Sequence, residues 1–220
     1  GLGKTVQTLA LLEELRAKGG AGRSLVVAPR SLLFNWASEA KRFAPELRVV
    51  EHHGSSRDVK NLEDCDLVLT TYATMRLDIQ ELSKITFEYA ILDEAQAIKN
   101  ATSQVAKATR LLDAKHRLAL SGTPIENHLG ELWSLFEFLN PGLLGSSRSF
   151  SRTFASKTVP PERREALARA LRPLILRRTK DQVAPELPER IEQTLYCELE
   201  GSQKKQYEEL RDHYRESLLG

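Results

Sequence analysis

Cysteine is scarce in this sequence, and long hydrophobic runs and any strong excess of one charge are missing. The two cysteines among 220 residues, Cys65 and Cys197, are isolated, so the sequence indicates neither a disulfide framework nor a zinc knuckle. No stretch approaches the roughly 18 apolar residues that a membrane helix needs, and we expect no membrane partner. With 32 basic and 30 acidic residues, the net charge is +2. Binding to nucleic acid would therefore depend on local patches and backbone amides rather than on a global positive field.

Five short aliphatic runs predict strands that are buried on both faces. Such runs, bounded by polar or turn-forming residues, are typical of a parallel sheet. They are SLVVA (24–28), LRVV (47–50), DLVLT (66–70), YAILD (89–93) and RLALS (117–121). Segments with helical spacing lie between them, one of them after Ser31, an expected N-cap. The alternation predicts an α/β fold, with a mainly parallel sheet flanked by helices, over residues 1–127.

The pattern changes after residue 127, and three further segments follow. HLGELWSLFEFLNP and PPERREALARALRPL predict a small helical insertion over residues 128–171. In the first of these helices, one face is expected to carry Leu132, Leu135, Phe136 and Leu139. Residues 172–200 predict a linker or brace with a returning strand over 191–199, and residues 201–220 predict a last helix.

Two tryptophans and one basic run could each be functional or structural. Trp36 and Trp133 lie in predicted helices with apolar partners at core spacing, so core packing is favoured over base stacking. The basic run Arg177, Arg178 and Lys180 lies near prolines, which is typical of a solvated linker. Neither feature assigns a function by itself.

GLGKT, at residues 1–5, has the features of the end of a phosphate-binding loop. Gly1 and Gly3 would allow the backbone turns that aim N–H groups at a phosphate. Lys4 would then reach the β- and γ-phosphates of ATP, and Thr5 would place its hydroxyl on Mg²⁺. The loop normally has eight residues and the chain starts after its first three, so a solvated lysine at a helix start remains the alternative.

Asp93 and Glu94 follow directly after an apolar strand, in ILDEAQAIKN. Adjacent carboxylates at the carboxyl edge of a parallel sheet point into the crevice where such folds bind ligands. One carboxylate could hold Mg²⁺ through water, and its neighbour could orient or deprotonate a hydrolytic water. A solvated strand end is the alternative, but the GKT block upstream favours the functional interpretation.

A third block, LALSGTPIEN, places Ser121 and Thr123 on a tight turn after another predicted strand. Glycine and proline mark turns in general, so a plain loop is possible. A plain loop does not explain why the three blocks occur in the order GKT, DEAQ and SGTP.

Six blocks of the chain resemble, in order, motifs of the SWI/SNF-type ATPases, which are superfamily-two, helicase-like DNA translocases. They are GLGKT, VVAPRSLLFNW, LTTYATM, ILDEAQAIKN, SGTPIENHLGELWSLFEFLNPGLLG and LRRTKDQVAPELPER. Gln96, where eukaryotic members more often have His, is similar to bacterial members. The resemblance implies the first of two RecA-like P-loop NTPase lobes. It also implies that the chain begins within the Walker A motif and does not include the second lobe.

The resemblance assigns roles around ATP to residues already singled out. Lys4 and Thr5 match the phosphate and Mg²⁺ residues, together with Gly1 and Gly3 of the loop. For the catalytic group, Asp93 matches the metal-holding carboxylate, Glu94 the water-activating carboxylate and Gln96 a nucleotide-sensing position. Ser121 and Thr123 match the segment that couples the ATP state to DNA.

The resemblance also implies contacts to the phosphate backbone of one DNA strand. The matching residues are Pro29, Arg30, Thr70, Thr71 and Tyr72. Hydroxyls, an arginine and free N–H groups at strand ends can hold phosphates without reading bases. Arg30 as a plain surface residue and Tyr72 as a packing residue remain open alternatives. Arg177, Arg178 and Lys180 match the junction between the two lobes.

The resemblance therefore implies an ATPase that moves along double-stranded DNA without necessarily separating its strands. Two alternatives are a P-loop ATPase that moves no nucleic acid and a lobe kept as a non-catalytic scaffold or interaction module. Expected partners are double-stranded DNA and the second lobe of the parent chain, with a DNA-bound protein complex as a further candidate. The expected location is the bacterial cytoplasm, at the nucleoid, or the nucleus in a eukaryote. The isolated chain is expected to be inactive, because the arginines that complete such sites come from the second lobe.

Overall fold

Five parallel strands form a sheet in the computed structural model, which describes residues 3–19, 22–55, 57–122, 129–154, 160–183, 193, 196 and 199–219. The strands are β1 Ser24–Ala28, β2 Val49–His52, β3 Leu67–Thr71, β4 Thr86–Leu92 and β5 Asp113–Ala119. Their order is β2-β3-β1-β4-β5, and every neighbouring pair is parallel. The α/β class predicted from the sequence is confirmed.

Ten α-helices and three 3₁₀ helices lie among the described residues. The α-helices are α1 Lys4–Ala17, α2 Arg30–Phe43, α3 Tyr72–Leu77, α4 Ile79–Leu82, α5 Gln104–Thr109, α6 Leu129–Leu139, α7 Ser147–Phe154, α8 Pro161–Leu171, α9 Lys180–Val183 and α10 Gly201–Leu219. The 3₁₀ helices are Val59–Leu62, Ala95–Ile98 and Arg172–Leu174. None of the helices in the described part of the chain is long and apolar enough to cross a membrane.

Apolar side chains fill a layer on each face of the sheet. On one face, leucines of α1 and Trp36 of α2 form a cluster with Val26 of β1 and Ile91 of β4. On the other face, Met75 of α3 and alanines of α5 form a cluster with Val27 of β1. Because β1 is covered from both sides, its five residues are all buried, which explains why it appears in the sequence as an unbroken aliphatic run.

Two predictions about these elements are wrong in detail. Helix α2 begins at Arg30 with Pro29 as its N-cap, not after Ser31, because the Pro29 carbonyl already accepts from the Leu32 N–H at 2.9 Å and so closes the first turn. The last predicted strand forms at Asp113–Ala119 rather than at 117–121, and it is only partly buried. The reason is its place at the edge of the sheet, where one side has no neighbouring strand.

Helix α6 contacts β5 and the 3₁₀ helix Ala95–Ile98, so it stands against the end of the sheet that carries the acidic pair. The Ser134 hydroxyl donates to the Ile98 carbonyl at 2.6 Å, and the Trp133 indole donates to the Gly145 carbonyl at 2.9 Å. Trp133 is buried, as predicted. Of the predicted apolar face, Phe136 is fully buried, and Leu135 and Leu139 are partly buried and pack against the core cluster on one face of the sheet.

The described chain divides into two compact units, Gly1–Leu176 and Arg177–Gly220. In the first unit, α8 begins at Pro161 with Pro160 as its N-cap, as the paired prolines predict. In the second unit, α10 begins at Gly201, where the final helix was expected. The returning strand predicted for 191–199 lies almost wholly outside the described residues.

Candidate active site

The acidic pair lies where the strand order of the sheet reverses. From β1 the chain passes through α2 towards β2 at one edge, and from the adjacent β4 it passes through α5 to β5 at the other edge. Asp93 and Glu94 follow the last residue of β4. Crevices at such switch points, beyond the carboxyl ends of the strands, are where open α/β sheets bind ligands.

Asp93 is held in a fixed orientation although only 6% of it is exposed. The Trp36 indole N–H donates to Asp93 Oδ2 at 2.8 Å, and the backbone N–H of Glu94 donates to Asp93 Oδ1 at 2.9 Å. Each carboxylate oxygen accepts one of these hydrogen bonds and keeps lone-pair capacity for a further partner. A buried carboxylate fixed in this way suits the role of a ligand that holds a cation directly or through water.

Glu94 has a left-handed backbone, with φ 50° and ψ 55°. Among the described residues, it is the only non-glycine residue with a positive φ. Such a conformation costs about 1–2 kcal/mol for a residue with a Cβ, and it persists only where the surroundings hold it. The N–H groups of Asp93 and Ala95, one on each side, donate to the carbonyls of Val27 and Leu120, both at 2.9 Å.

A chain of hydrogen bonds joins the predicted coupling block to Glu94. The Ser121 hydroxyl donates to Gln96 Oε1 at 3.1 Å, and Gln96 Nε2 donates to Glu94 Oε2 at 2.5 Å. The carboxylate can only accept, so the Gln96 amide nitrogen has to face it. The structure therefore brings Glu94, Gln96 and Ser121 together, whereas Thr123 lies outside the described residues.

Lys4 and Glu94 converge on Gly122. A Cβ built on Gly122 would lie 3.9 Å from Lys4 Nζ and 3.9 Å from Glu94 Oε1. Lys4 is the first residue of α1, and Gly3 precedes it with φ 75° and ψ 25°, the left-handed turn expected of a phosphate loop. Gly1 lies outside the described residues.

The start of α1 and the acidic pair together fit ATP with Mg²⁺. Helix α1 has 14 residues, and its N-terminus presents backbone N–H groups and a positive dipole end, which favour phosphate. The Thr5 hydroxyl and the Asp93 carboxylate are hard oxygen donors of the kind that Mg²⁺ takes beside substrate phosphates. Lys4 could supply the positive charge for the phosphates themselves.

Four of the five predicted DNA-contact residues line one cleft of about 300 Å³. They are Pro29, Arg30, Thr71 and Tyr72, which share the cleft with Ala28, His53, Gly54, Ala73 and Thr74. Arg30 is exposed at the start of α2, and Thr71 caps α3 by accepting from the Thr74 N–H at 3.0 Å. Thr70 does not join them, because its side chain is fully buried and donates to the His52 carbonyl at 2.7 Å.

Tyr72 lies between this cleft and the acidic pair. Tyr72 lines the cleft, and its hydroxyl donates to the backbone carbonyl of Asp93 at 2.7 Å. Burial raises the pKa of the Tyr72 hydroxyl, and the nearby charges of Asp93 and Glu94 raise it further. The hydroxyl therefore stays protonated, as a donor to that carbonyl requires.

Trp36 is a site residue that sequence reasoning missed. The prediction of core packing is correct, since the side chain is fully buried, but the indole also holds Asp93. The only signal available was chemical: a buried indole N–H generally needs an acceptor. Nothing local in the sequence identifies an acceptor that lies 57 positions further along the chain.

Comparison with known proteins gives the same assignment over almost the entire chain. The sequence model of the family described as "SNF2-related domain" matches residues 1–218. A Bacillus subtilis protein named as an ATP-dependent helicase/translocase, YwqA, is 41% identical over 96% of this chain. The TATA-binding protein-associated factor MOT1 of Saccharomyces cerevisiae is 39% identical over 94% of it.

Two solved structures from Sulfolobus solfataricus have the same fold. The SWI2/SNF2 ATPase core in complex with double-stranded DNA is 42% identical, with a TM-score of 0.78 over 95% of this chain. The SWI2/SNF2 ATPase core domain is 41% identical, with a TM-score of 0.75 over 97% of this chain. The chain spans 24% of YwqA, 13% of MOT1 and 45% of each solved chain. With a family match over residues 1–218 and the fold of the first lobe of a SWI2/SNF2 core, this chain belongs to the SNF2-related, helicase-like ATPases.

Proposed function

We propose that this chain is the N-terminal, ATP-binding lobe of an ATP-dependent translocase that moves along double-stranded DNA. The convergence of Lys4 and Glu94 on Gly122, beside the hydrogen-bond chain to Ser121, is the observation that carries the proposal. It supports the proposal because a cation that could bind phosphate and a carboxylate that could activate water lie around the same small space. The reaction is the hydrolysis of ATP to ADP and phosphate.

Each residue of the site has one role in this reaction. Lys4 and the N–H groups at the start of α1 bind the β- and γ-phosphates. Glu94 orients the attacking water and accepts its proton, while Gln96 fixes the Glu94 carboxylate. Thr5 and Asp93 would hold Mg²⁺, which when bound neutralises negative charge on the phosphates.

The cleft at the carboxyl ends of β1 and β3 is the proposed DNA site. Arg30 contributes a positive charge there, Thr71 a hydroxyl, and the start of α2 backbone N–H groups, all of which suit the phosphate backbone rather than base edges. The solved relative in complex with double-stranded DNA supports this choice of polymer. Contacts of this kind make DNA binding independent of base sequence and sensitive to salt. The activity would place the protein with DNA, in the bacterial cytoplasm or in a eukaryotic nucleus.

The isolated 220-residue chain would turn over negligible ATP. ATPases of this kind need an arginine that stabilises charge on the transferring phosphoryl group, and in this proposal a second lobe of the full-length protein supplies it. ATP hydrolysis by the isolated chain that disappears in a Lys4→Ala variant would contradict this part of the proposal.

Hydrolysis by the full-length protein, measured with and without duplex DNA, tests the proposal. We expect DNA to increase the rate, and Glu94→Gln to abolish hydrolysis while ATP still binds. Arg30→Ala should weaken DNA binding and lower its salt dependence by about one counterion, whereas the matched change of exposed Arg164 on α8 should not. Hydrolysis that is equal with and without DNA would indicate an ATPase that moves no nucleic acid, and the absence of ATP binding would indicate a scaffold.

A further inference from the structure

The peptide unit between Asp93 and Glu94 is held at both of its polar ends. Its carbonyl oxygen accepts from the Tyr72 hydroxyl at 2.7 Å. Its N–H donates to Asp93 Oδ1 at 2.9 Å, and the other oxygen of that carboxylate accepts from Trp36. Rotation of this peptide plane would change the φ of Glu94 directly, because φ is the torsion angle about the N–Cα bond of Glu94, which joins the plane to the Cα atom.

Tyr72, which holds the carbonyl of this peptide, and Trp36, which holds the Asp93 carboxylate, come from the two helices that border the proposed DNA cleft. Helix α2 starts with Arg30, which lines the cleft, and carries Trp36 further along. Helix α3 starts with Tyr72, which lines the cleft and whose hydroxyl reaches the Asp93 carbonyl. A ligand in the cleft therefore contacts the same helices that fix the peptide before Glu94.

A second backbone arrangement of Glu94 would relieve its strain. The observed left-handed conformation is strained for a residue with a Cβ, and an ordinary right-handed conformation is the relaxed alternative. A strained residue between two tethered peptides can change conformation when one tether is loosened. This gives the local two-state element that coupling between two sites requires.

We propose that Tyr72 is a positioning residue that couples occupation of the cleft by DNA to the catalytic position of Glu94. DNA backbone bound in the cleft holds the Tyr72 ring, and the hydroxyl then holds the Asp93–Glu94 peptide with Glu94 aimed at Gly122 and Lys4. Without DNA, the tether is looser and Glu94 spends more time away from that position. The inference rests on the proposed function, since it requires both ATP and DNA as ligands.

Tyr72→Phe isolates the proposed contact. Phenylalanine keeps the aromatic ring at this lining position and removes only the oxygen that donates to Asp93. The matched control is Tyr89→Phe, which removes a tyrosine hydroxyl from β4, where the ring stacks on His116 with centroids 4.8 Å apart. Thermal unfolding of both variants shows whether each protein is folded.

The experiment measures how strongly the two ligands affect each other in the full-length protein. The affinity for a 30-base-pair duplex is measured with and without a non-hydrolysable ATP analogue, and the ratio of the two affinities is the coupling factor. By linkage, the same factor describes the effect of DNA on the nucleotide. The maximal hydrolysis rate at saturating DNA is measured beside it.

Tyr72→Phe is expected to bring the coupling factor closer to one and to lower the hydrolysis rate at saturating DNA. Each of these two changes should be about two- to tenfold, because that is the change in an equilibrium that the loss of one neutral hydrogen bond produces. Tyr89→Phe is expected to keep the wild-type values. A merely structural role for Tyr72 would weaken both affinities and leave their ratio unchanged, and that result would overturn the inference. A wild-type protein with a coupling factor of one and no stimulation by DNA would overturn the proposed function together with the inference.

Discussion

Replacing Trp36 by phenylalanine removes the N–H donor that holds Asp93 Oδ2 and part of one ring from the sheet interior. Trp36 is fully buried and Asp93 is 6% exposed, so water cannot easily replace the lost donor. A hydrogen bond to a charged group contributes about 1.5–3 kcal/mol, and one to a neutral group about 0.5–1.5 kcal/mol. The chain offers a matched control, because the Trp133 indole donates to a neutral carbonyl, that of Gly145, at 2.9 Å.

Both variants replace tryptophan by the smaller phenylalanine. The difference between their losses of unfolding free energy therefore depends mainly on whether the lost acceptor is the Asp93 carboxylate or the Gly145 carbonyl. We expect Trp36→Phe to lower the free energy of unfolding by about 1–2 kcal/mol more than Trp133→Phe does. Urea unfolding of the chain, followed by circular dichroism, measures both values without using tryptophan fluorescence. In the full-length protein, Trp36→Phe should also slow ATP hydrolysis, while Trp133→Phe should not. Equal losses of stability together with equal hydrolysis rates would refute the reasoning that Trp36 holds the Asp93 carboxylate.

Three further changes test separate parts of the structure. Glu94→Gly removes the Cβ that strains the left-handed backbone, so it should raise the free energy of unfolding by up to about 1 kcal/mol. Urea unfolding measures this value. Glu94→Gln keeps the Cβ and should not raise it. Gly122→Ala leaves ordinary van der Waals distances around the new methyl group, so the free energy of unfolding should change by less than about 1 kcal/mol. Calorimetry should nevertheless show weaker ATP binding, because the methyl group enters the space beside Lys4 and Glu94 where the phosphates are proposed to bind. The Arg57 guanidinium and then His52 hold the pKa of Asp78 below its ordinary value of 3.8, so the stability that Asp78 contributes is present above that value and is lost as the pH falls through its lower folded pKa. Acid titration of stability should therefore be shallower in Asp78→Asn, and unchanged in the matched variant of exposed Asp64.

The sequence was sufficient to predict the α/β class and the place of the acidic pair in the sheet because both depend on local patterns. Strand β1 is aliphatic at every position since helices cover both of its faces. The acidic pair could be placed at the carboxyl edge because it follows a strand directly, and all neighbouring strands are parallel. Edge strand β5 was misplaced, since partial exposure on one side weakens the same hydrophobic pattern.

The contacts that fix the site could not be predicted in the same way. The Trp36 bond to Asp93 spans 57 positions and the Tyr72 bond to the Asp93 carbonyl spans 21, so both depend on how the helices pack against the sheet. The left-handed backbone of Glu94 is also invisible in the sequence, because glutamate is an unfavourable residue there and only tertiary contacts hold it. Burial of Thr70 follows from the same packing.

Movement along duplex DNA is the central claim, and displacement of a third strand tests it most directly. The full-length protein is incubated with a duplex that carries a triplex-forming oligonucleotide at one end, and release of the third strand is followed over time. The account predicts release that requires ATP, that is lost in Glu94→Gln, and that occurs while the duplex itself stays paired. ATP hydrolysis stimulated by DNA with no release of the third strand would contradict the claim that this lobe belongs to a translocase.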